Sequence, residues 1–433
     1  MRIVLLFVAA VSTAARAQKL AVTPYDPSGI YGVNETVGWT IRVADGQHAS
    51  AGVYTYVVKE NGGRPIKNGS LDLTQPATIE TALSSPGMIR VEIRPPMGAM
   101  QTFGNINTGG NGVVVLGAAV DPTKIQPVLE KPSDFDAFWD AKLKLLARVP
   151  MGAVVTPKES GVADVDYSTV RLDNIGGAHV YTQIARPKRA GKFPAIVIYQ
   201  WASAPYPLEK SWVTDRAKDG WLAINVEPHD VPLDMPPEYY ASLPQMIKDY
   251  AKINNTDRDH NYFLQMYLGD YRAIEYLASL ADWDGRTLVV NGISMGGQQS
   301  LAVAGLNPRV TAIVVNVPAG GDANGAQHGR QPGYPNWDMS DPRVAETARY
   351  FDVVNFASRI KAPVMAAMGF IDDVTPAIGI WTVLNQIPGV KEPVPMIDSP
   401  HNHQATPAQL MPYTLRSEAW LKALLNAQPV PPR

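Results

Sequence analysis

The chain has 433 residues, enough for two to three domains; 38 Lys and Arg against 40 Asp and Glu give a net charge of −2, and with no basic stripe nothing supports a nucleic-acid partner. It has no cysteine, which excludes a disulfide framework, thiolate metal ligands and a lipoprotein anchor. Hydrophobic residues make up 45% and charged residues 18%, enough for a sizeable core, and 35 Gly with 37 Pro argue for turns and long loops over a helical bundle.

Residues 1–17 read as a secretory signal peptide. Arg2 supplies a positive start, 3–10 an apolar core too short to span a bilayer, and Ala15-Arg16-Ala17 a small-x-small cleavage site. No later stretch is long and apolar enough for a membrane span, so the expected location is secreted or periplasmic. From 18 to 122 the pattern is short strands, at Val37–Val43, 53–58, 78–83, 88–93 and 113–118, several alternating apolar and polar as in Ile89-Arg90-Val91-Glu92-Ile93. Glu60-Asn61-Gly62-Gly63 and Lys67-Asn68-Gly69 read as the turns between them. This predicts an all-β, immunoglobulin-like sandwich. Trp39, Tyr54 and Tyr56 could bind carbohydrate, but strand aromatics more often fill a core.

A catalytic unit is expected over 123–433. Residues 123–150 are a linker and a first helix, opened by a capping-box-like Ser133-Asp134-Phe135-Asp136 after Pro132, with Phe135, Phe138, Trp139, Leu143 and Leu146 at helical spacing. Strands at 167–172 and 178–186 form an antiparallel pair. Apolar strands at 195–199, 222–226, 288–290, 312–315, 364–368 and 394–397 then alternate with helices, notably 263–280, 379–386 and 408–425. Buried strands separated by helices predict a mostly parallel sheet covered on both faces, an α/β class. The long segments 227–262 and 318–350 break the alternation and are candidate lids or subunit contacts.

The chemistry centres on Gly292-Ile293-Ser294-Met295-Gly296, set between the apolar strand and a helix. That context makes the G-x-S-x-G pattern a nucleophile elbow and the architecture an α/β-hydrolase, in which the chain order is serine, acid, histidine. A serine hydroxyl needs a base within hydrogen-bond reach, itself oriented by a third group. His401 and His403 follow the last strand, and Asp372 and Asp373 follow the one before it; pattern alone does not choose within either pair. A His-x-His metal site lacks a third ligand or an H-E-x-x-H helix, so no metal and no cofactor is expected. The oxyanion donors expected are the N–H of Met295 and one from the turn Gln200-Trp201-Ala202, assigned to Ala202. Gln200, Trp201 and His229 are substrate-pocket candidates, although a packed or surface histidine is the plainer reading of His229, as of His48, His179, His260 and His328.

From about 120 to 425 the chain resembles the acetyl xylan esterase and cephalosporin C deacetylase family, carbohydrate esterase family seven. The resemblance is carried by Pro132-Ser133-Asp134-Phe135-Asp136-Ala137-Phe138-Trp139, Asp270-Tyr271-Arg272-Ala273, the elbow, Arg359-Ile360-Lys361-Ala362-Pro363-Val364 and Gly369-Phe370-Ile371-Asp372-Asp373-Val374-Thr375-Pro376. It implies Asp372 as the acid and His401 as the base. Together with the signal peptide, the expectation is a secreted serine esterase that hydrolyses small acyl esters, acetyl foremost, on an acylated saccharide or other small ester through a Ser-His-Asp triad and an acyl-enzyme; homo-oligomers are common among relatives. The chain departs from the family at Gln200-Trp201-Ala202, where a His-Gly-Tyr-like turn is usual, and at Met295, often glutamine. A serine peptidase, a lactone or polyester hydrolase and a non-catalytic carbohydrate-binding scaffold are the alternatives.

Overall fold

A computed structural model describes residues 20–44, 53–96, 108–109 and 112–432. The expected signal peptide and His48 lie outside the described residues. The N-terminal part holds β1 (Leu20–Pro24), β2 (Ile30–Tyr31), β3 (Val37–Val43), β4 (Tyr54–Glu60), β5 (Arg64–Leu71), β6 (Ala77–Thr81), β7 (Gly87–Arg94), β8 (Thr108–Gly109) and β9 (Val113–Val120). They form one sheet in the order β1-β3-β6 and a second in the order β2-β9-β7-β4-β5. A single apolar cluster lies between the sheets, built from alternate residues such as Ile41, Val58, Ile79, Val91 and Leu116. Trp39, Tyr54 and Tyr56 belong to it, as a core reading requires. Lys67-Asn68-Gly69 is not a turn: it lies inside β5, where Gly69 pairs with Tyr56. A Cβ at Gly69 would stand 2.7 Å from the Tyr56 hydroxyl, so the glycine makes room for the ring.

The rest is built on a nine-stranded sheet. Its strands are β10 (Val154–Lys158), β11 (Val165–Asp173), β12 (His179–Pro187), β13 (Phe193–Tyr199), β14 (Leu222–Glu227), β15 (Trp283–Ile293), β16 (Ala312–Asn316), β17 (Val364–Gly369) and β18 (Lys391–Met396). The order is β10-β11-β12-β14-β13-β15-β16-β17-β18. β10 to β14 pair antiparallel, and from β14 through β18 every pairing is parallel. β13, β14, β16 and β17 are buried along most of their length, and β15 is buried in its second half, from Thr287 to Val290 and at Gly292, because helices cover both faces.

Those helices are α1 (Phe135–Ala147), α2 (Ser211–Asp219), α3 (Pro237–Ser242), α4 (Gln245–Lys248), α5 (Tyr262–Ser279), α6 (Met295–Leu306), α7 (Pro342–Ala348), α8 (Val353–Ala357), α9 (Ala377–Gln386) and α10 (Pro407–Leu425). The capping box expected at α1 does not form. Asp134 precedes the helix, but its carboxylate accepts from the Tyr350 hydroxyl at 2.5 Å and pairs with Arg258 at 2.9 Å. The two long segments carry short helices of their own, α3 and α4 in one and α7 in the other.

The two parts share a boundary that is itself apolar. Met88 of β7 and Ala119 of β9 belong to the core of the large sheet, not to the cluster between the N-terminal sheets. β9 is therefore buried on both faces along nearly its whole length.

Candidate active site

The sharpest local feature of the site lies between β15 and α6. Ser294 adopts φ 58° and ψ −121°, a conformation that costs a non-glycine residue energy and persists only where the surroundings impose it. The imposing contacts are visible. The Ser294 N–H donates to the Asn316 carbonyl at 3.0 Å, and its carbonyl accepts from Ala319 at 3.0 Å and Gln298 at 3.1 Å. A Cβ at Gly292 would overlap the Gly296 backbone, and one at Gly296 would overlap the Tyr199 carbonyl. Strand, turn and helix can close this tightly only with glycine at both places.

The turn lifts the Ser294 hydroxyl to 3.1 Å from His401 Nε2. On the other side of the ring, His401 Nδ1 lies 2.8 Å from Asp372 Oδ2. The carboxylate accepts at Nδ1, so the imidazole carries its proton there and leaves Nε2 free to accept from the serine. All three residues are buried. Asp372 also accepts from the N–H groups of Val374 and Thr375, both at 2.8 Å, and lies 3.0 Å from the Thr375 hydroxyl. Asp373 and His403, which pattern could not separate from their neighbours, are exposed. His403 meets His401 only ring to ring, at 5.3 Å between centroids. Among the described residues no group of three or more His, Cys, Asp or Glu is placed to hold a metal ion.

Three side chains at the site, Thr375, Tyr250 and Tyr334, are given no role by the sequence pattern. Thr375 touches both partners, its hydroxyl standing 3.3 Å from His401 Nδ1 as well as beside Asp372. Its Val-Thr-Pro context marked the register of the acid but not this role. Met295 is fully buried, and its sulfur accepts from the Tyr250 hydroxyl at 3.0 Å and the Tyr334 hydroxyl at 3.2 Å. The two hydroxyls lie 2.7 Å apart. One tyrosine comes from each of the long segments, so both segments reach the elbow. Burial pushes the Tyr250 phenol up to about 12, which keeps it a neutral donor.

The predicted oxyanion elements are adjacent. Met295 is the first residue of α6, so its N–H has no acceptor within the helix. The Tyr199–Gln200 backbone presses on Gly296, and the side-chain amide of Gln299 ties the Gln200 carbonyl (2.9 Å) to the Met295 carbonyl (3.3 Å). Ala202 is partly buried against the main core.

The three pocket candidates fall in different places. Gln200 is buried, and its Oε1 accepts from the Tyr206 hydroxyl at 2.6 Å, so its side chain braces the turn. Trp201 is 39% exposed, stacks on Tyr206 at 5.5 Å and meets Trp212 edge-on at 5.1 Å. A groove of about 390 Å³ opens there, lined by Trp201 and Trp212 with Asp215, Arg216 and Asn291. His229 is buried, with Nδ1 2.9 Å from the Tyr262 hydroxyl and its ring 4.5 Å from Tyr250. Burial drives its pKa down to about 3, so it is a neutral packed histidine that contacts the site through Tyr250. Beside it Glu227 is buried and pushed up to about 8 by loss of solvent, while accepting from the N–H groups of His229 and Val231.

Comparison with known proteins supplies the context. The family described as acetyl xylan esterase (AXE1) matches residues 123–324 and 335–413, more than half of the chain. Acetyl esterase Axe7A of Xylanibacter ruminicola is 34% identical over 279 residues, 63% of this chain and 64% of that protein; the chain thus spans less than two thirds of this relative. Among solved structures, the acetyl xylan esterase from Paenibacillus sp. R4 superposes with a TM-score of 0.60 at 24% identity over 71% of this chain and 98% of its own. Acetyl xylan esterase 1 from Thermoanaerobacterium sp. JW/SL YS485 gives 0.55 at 21% identity, over 65% and 92%. These likenesses give the larger part of the chain an α/β-hydrolase-like fold.

Proposed function

The chain belongs to the acetyl xylan esterase family, and on that basis we propose that it is a serine esterase removing small acyl groups, acetyl foremost, from carbohydrate. The observation that carries the reading is the unbroken path from Ser294 Oγ through His401 to Asp372. His401 Nε2 takes the serine proton as Oγ attacks the ester carbonyl. The N–H groups of Met295 and Ala202 hold the oxyanion, Asp372 stabilises the imidazolium, and His401 returns the proton to the leaving alcohol. Water activated by His401 then hydrolyses the acyl-enzyme. The residues of this path are sufficient without a cofactor.

The carbohydrate side of the reading rests on the names of the relatives and on the groove beside Trp201. The exposed Trp201 indole and the half-buried Trp212, with carboxylate, guanidinium and amide groups at their rim, suit a saccharide, whose rings are apolar on the face and polar at the edge. The reading extends to residues 1–17 as an export signal and to 18–122 as an immunoglobulin-like sandwich ahead of a catalytic unit from 123. Supporting the sandwich, β1, β3 and β6 take the places of strands A, B and E, and β4, β7 and β9 those of C, F and G. Among the described residues no helix is long and apolar enough to cross a membrane.

The test is a panel of acetylated sugars and nitrophenyl esters of increasing chain length, with Ser294→Ala alongside. The expected result is turnover that falls sharply beyond acetate and drops by at least about 10⁴-fold in the variant. Equal turnover by Ser294→Ala would end the proposal. Cleavage of aminoacyl amides without cleavage of acetyl esters would move it to a peptidase.

A further inference from the structure

We infer that the N-terminal β sheets are a working part of the catalytic site, with Arg90 a positioning residue for Asp372. The inference rests on the reading of Ser294, His401 and Asp372 given above. β7 and β9 each send one set of side chains into the cluster between the N-terminal sheets. Of the other set, Met88 and Ala119 join the core of the large sheet, and Arg90 and Gly117 meet the backbone just ahead of Asp372. Arg90 belongs to this second set. Its Nη1 donates to the Ile371 carbonyl at 3.2 Å, one residue before Asp372, and its side chain is only 13% exposed. Its Nε is 3.4 Å from Glu92, which Lys59 also engages at 2.6 Å, so the guanidinium is steadied from behind.

Gly117 of β9 makes the second contact. A Cβ there would lie 2.5 Å from the Phe370 carbonyl oxygen, so the backbone ahead of the acid runs directly against the strand. The opposite edge of that dipeptide is tied to the region of the histidine. The Phe370 N–H donates to Met396 at 3.1 Å and the Ile371 N–H to Ser399 at 3.4 Å. Phe370-Ile371 is thus held between the loop leading to His401 on one side and the N-terminal sheet on the other. A second seam repeats the arrangement. The Gln331 N–H donates to Asn61 in the β4–β5 turn at 2.8 Å, and the segment runs on to Tyr334, whose N–H bonds the Val374 carbonyl at 2.8 Å and whose hydroxyl touches Met295. All of these N-terminal residues precede residue 123, where the family match begins.

The physical consequence is on the acid. Without the Arg90 donor, the Ile371 carbonyl loses a charge-assisted bond, and the peptide joining it to Asp372 gains freedom. Small displacements of a catalytic group are costly: about 1 Å can cost on the order of 100-fold. The loss should appear in kcat with KM unchanged, since Arg90 touches no substrate.

The experiment compares Arg90→Met, Arg90→Lys and Gly117→Ala with wild type on nitrophenyl acetate, with melting curves for each. Each substitution is also placed in the Asp372→Asn background. Arg90→Met is expected to lower kcat on the order of 10-fold at unchanged KM, and Arg90→Lys to recover part of it. In the Asp372→Asn background the Arg90→Met loss should vanish, because a residue that works through Asp372 has nothing left to position. Wild-type kcat in Arg90→Met and Gly117→Ala, or an undiminished Arg90→Met loss in the Asp372→Asn background, overturns the inference while leaving the esterase reading intact. A wild-type protein that neither cleaves esters nor reacts with a fluorophosphonate at Ser294 overturns both.

Discussion

The two walls that flank Ser294 are made differently. On the acid and histidine side, Asp372 has two N–H donors, the Thr375 hydroxyl and His401 around it, and the backbone ahead of it is bonded on both edges. On the other side, the turn from Gln200 is braced from beneath by Gln299 and Tyr206, but its next residue, Trp201, stands exposed over a groove. The first wall is built for one geometry. The second is rigid where backbone donors must be and open where a substrate would lie. The difference separates what every ester hydrolysis needs from what distinguishes one ester from another.

The largest effect should come from the closed wall. Asp372→Asn keeps the shape but makes the wrong tautomer of His401 available, and kcat is expected to fall by about 10⁴-fold. Asp373→Asn, on an exposed side chain one residue on, should leave the steady-state kinetics at wild-type values. If the two variants behaved alike, the closed wall would not be the catalytic one.

A middle effect tests the join between the walls. Ala202→Pro deletes the N–H proposed as the second oxyanion donor, and the expected loss is about 10²- to 10³-fold in kcat with little change in KM. A wild-type rate in this variant would move the second oxyanion donor elsewhere in the turn. Smaller again is the effect expected for the open wall. Trp201→Ala should raise KM about fivefold for an acetylated oligosaccharide and leave nitrophenyl acetate unaffected, since only the larger substrate spans the groove. A change in kcat on both substrates would place Trp201 with the chemistry instead.

The smallest effect concerns stability behind the open wall. Folded Glu227 keeps its proton to about pH 8 because it is buried, whereas the unfolded group loses it near 4.5. Between those values the folded state binds the extra proton, so this group's contribution to stability declines as pH rises through the window. Glu227→Gln cannot ionise. Its melting temperature relative to wild type should therefore increase from pH 5 to pH 8, measured by thermal scans at each pH; a flat difference would mean that Glu227 is ionised in the fold.

The elbow was legible in the chain because its signal is local: an apolar strand, a five-residue pattern and a helix in sequence. Asp372 and Asp373 were not separable by pattern, because both follow β17 and only exposure tells them apart. β5 was hidden for a related reason. Nearly all of it is solvent-exposed, so it shows no alternation, and Gly69 opposite Tyr56 looked like a turn residue. Arg90 shows the limit most plainly. Alternation along Ile89 to Ile93 correctly sends Arg90 to the face away from the cluster between the N-terminal sheets. A period of two cannot say whether that face meets water or another part of the protein. Here it meets the carbonyl before Asp372.

The seam at Arg90 also bears on how the molecule comes together. Its bond to Ile371 spans 281 residues of chain. The N-terminal sheets can complete the cluster between them early in synthesis, but Met88, Gly117 and Ala119 face their partners only after β17 and its loop have been made. Until then a strip of apolar strand surface stays wet, on a chain that must also avoid pairing with its neighbours. Contacts of such long range slow folding, so the part of the chain that is made first holds a face that is among the last to be covered.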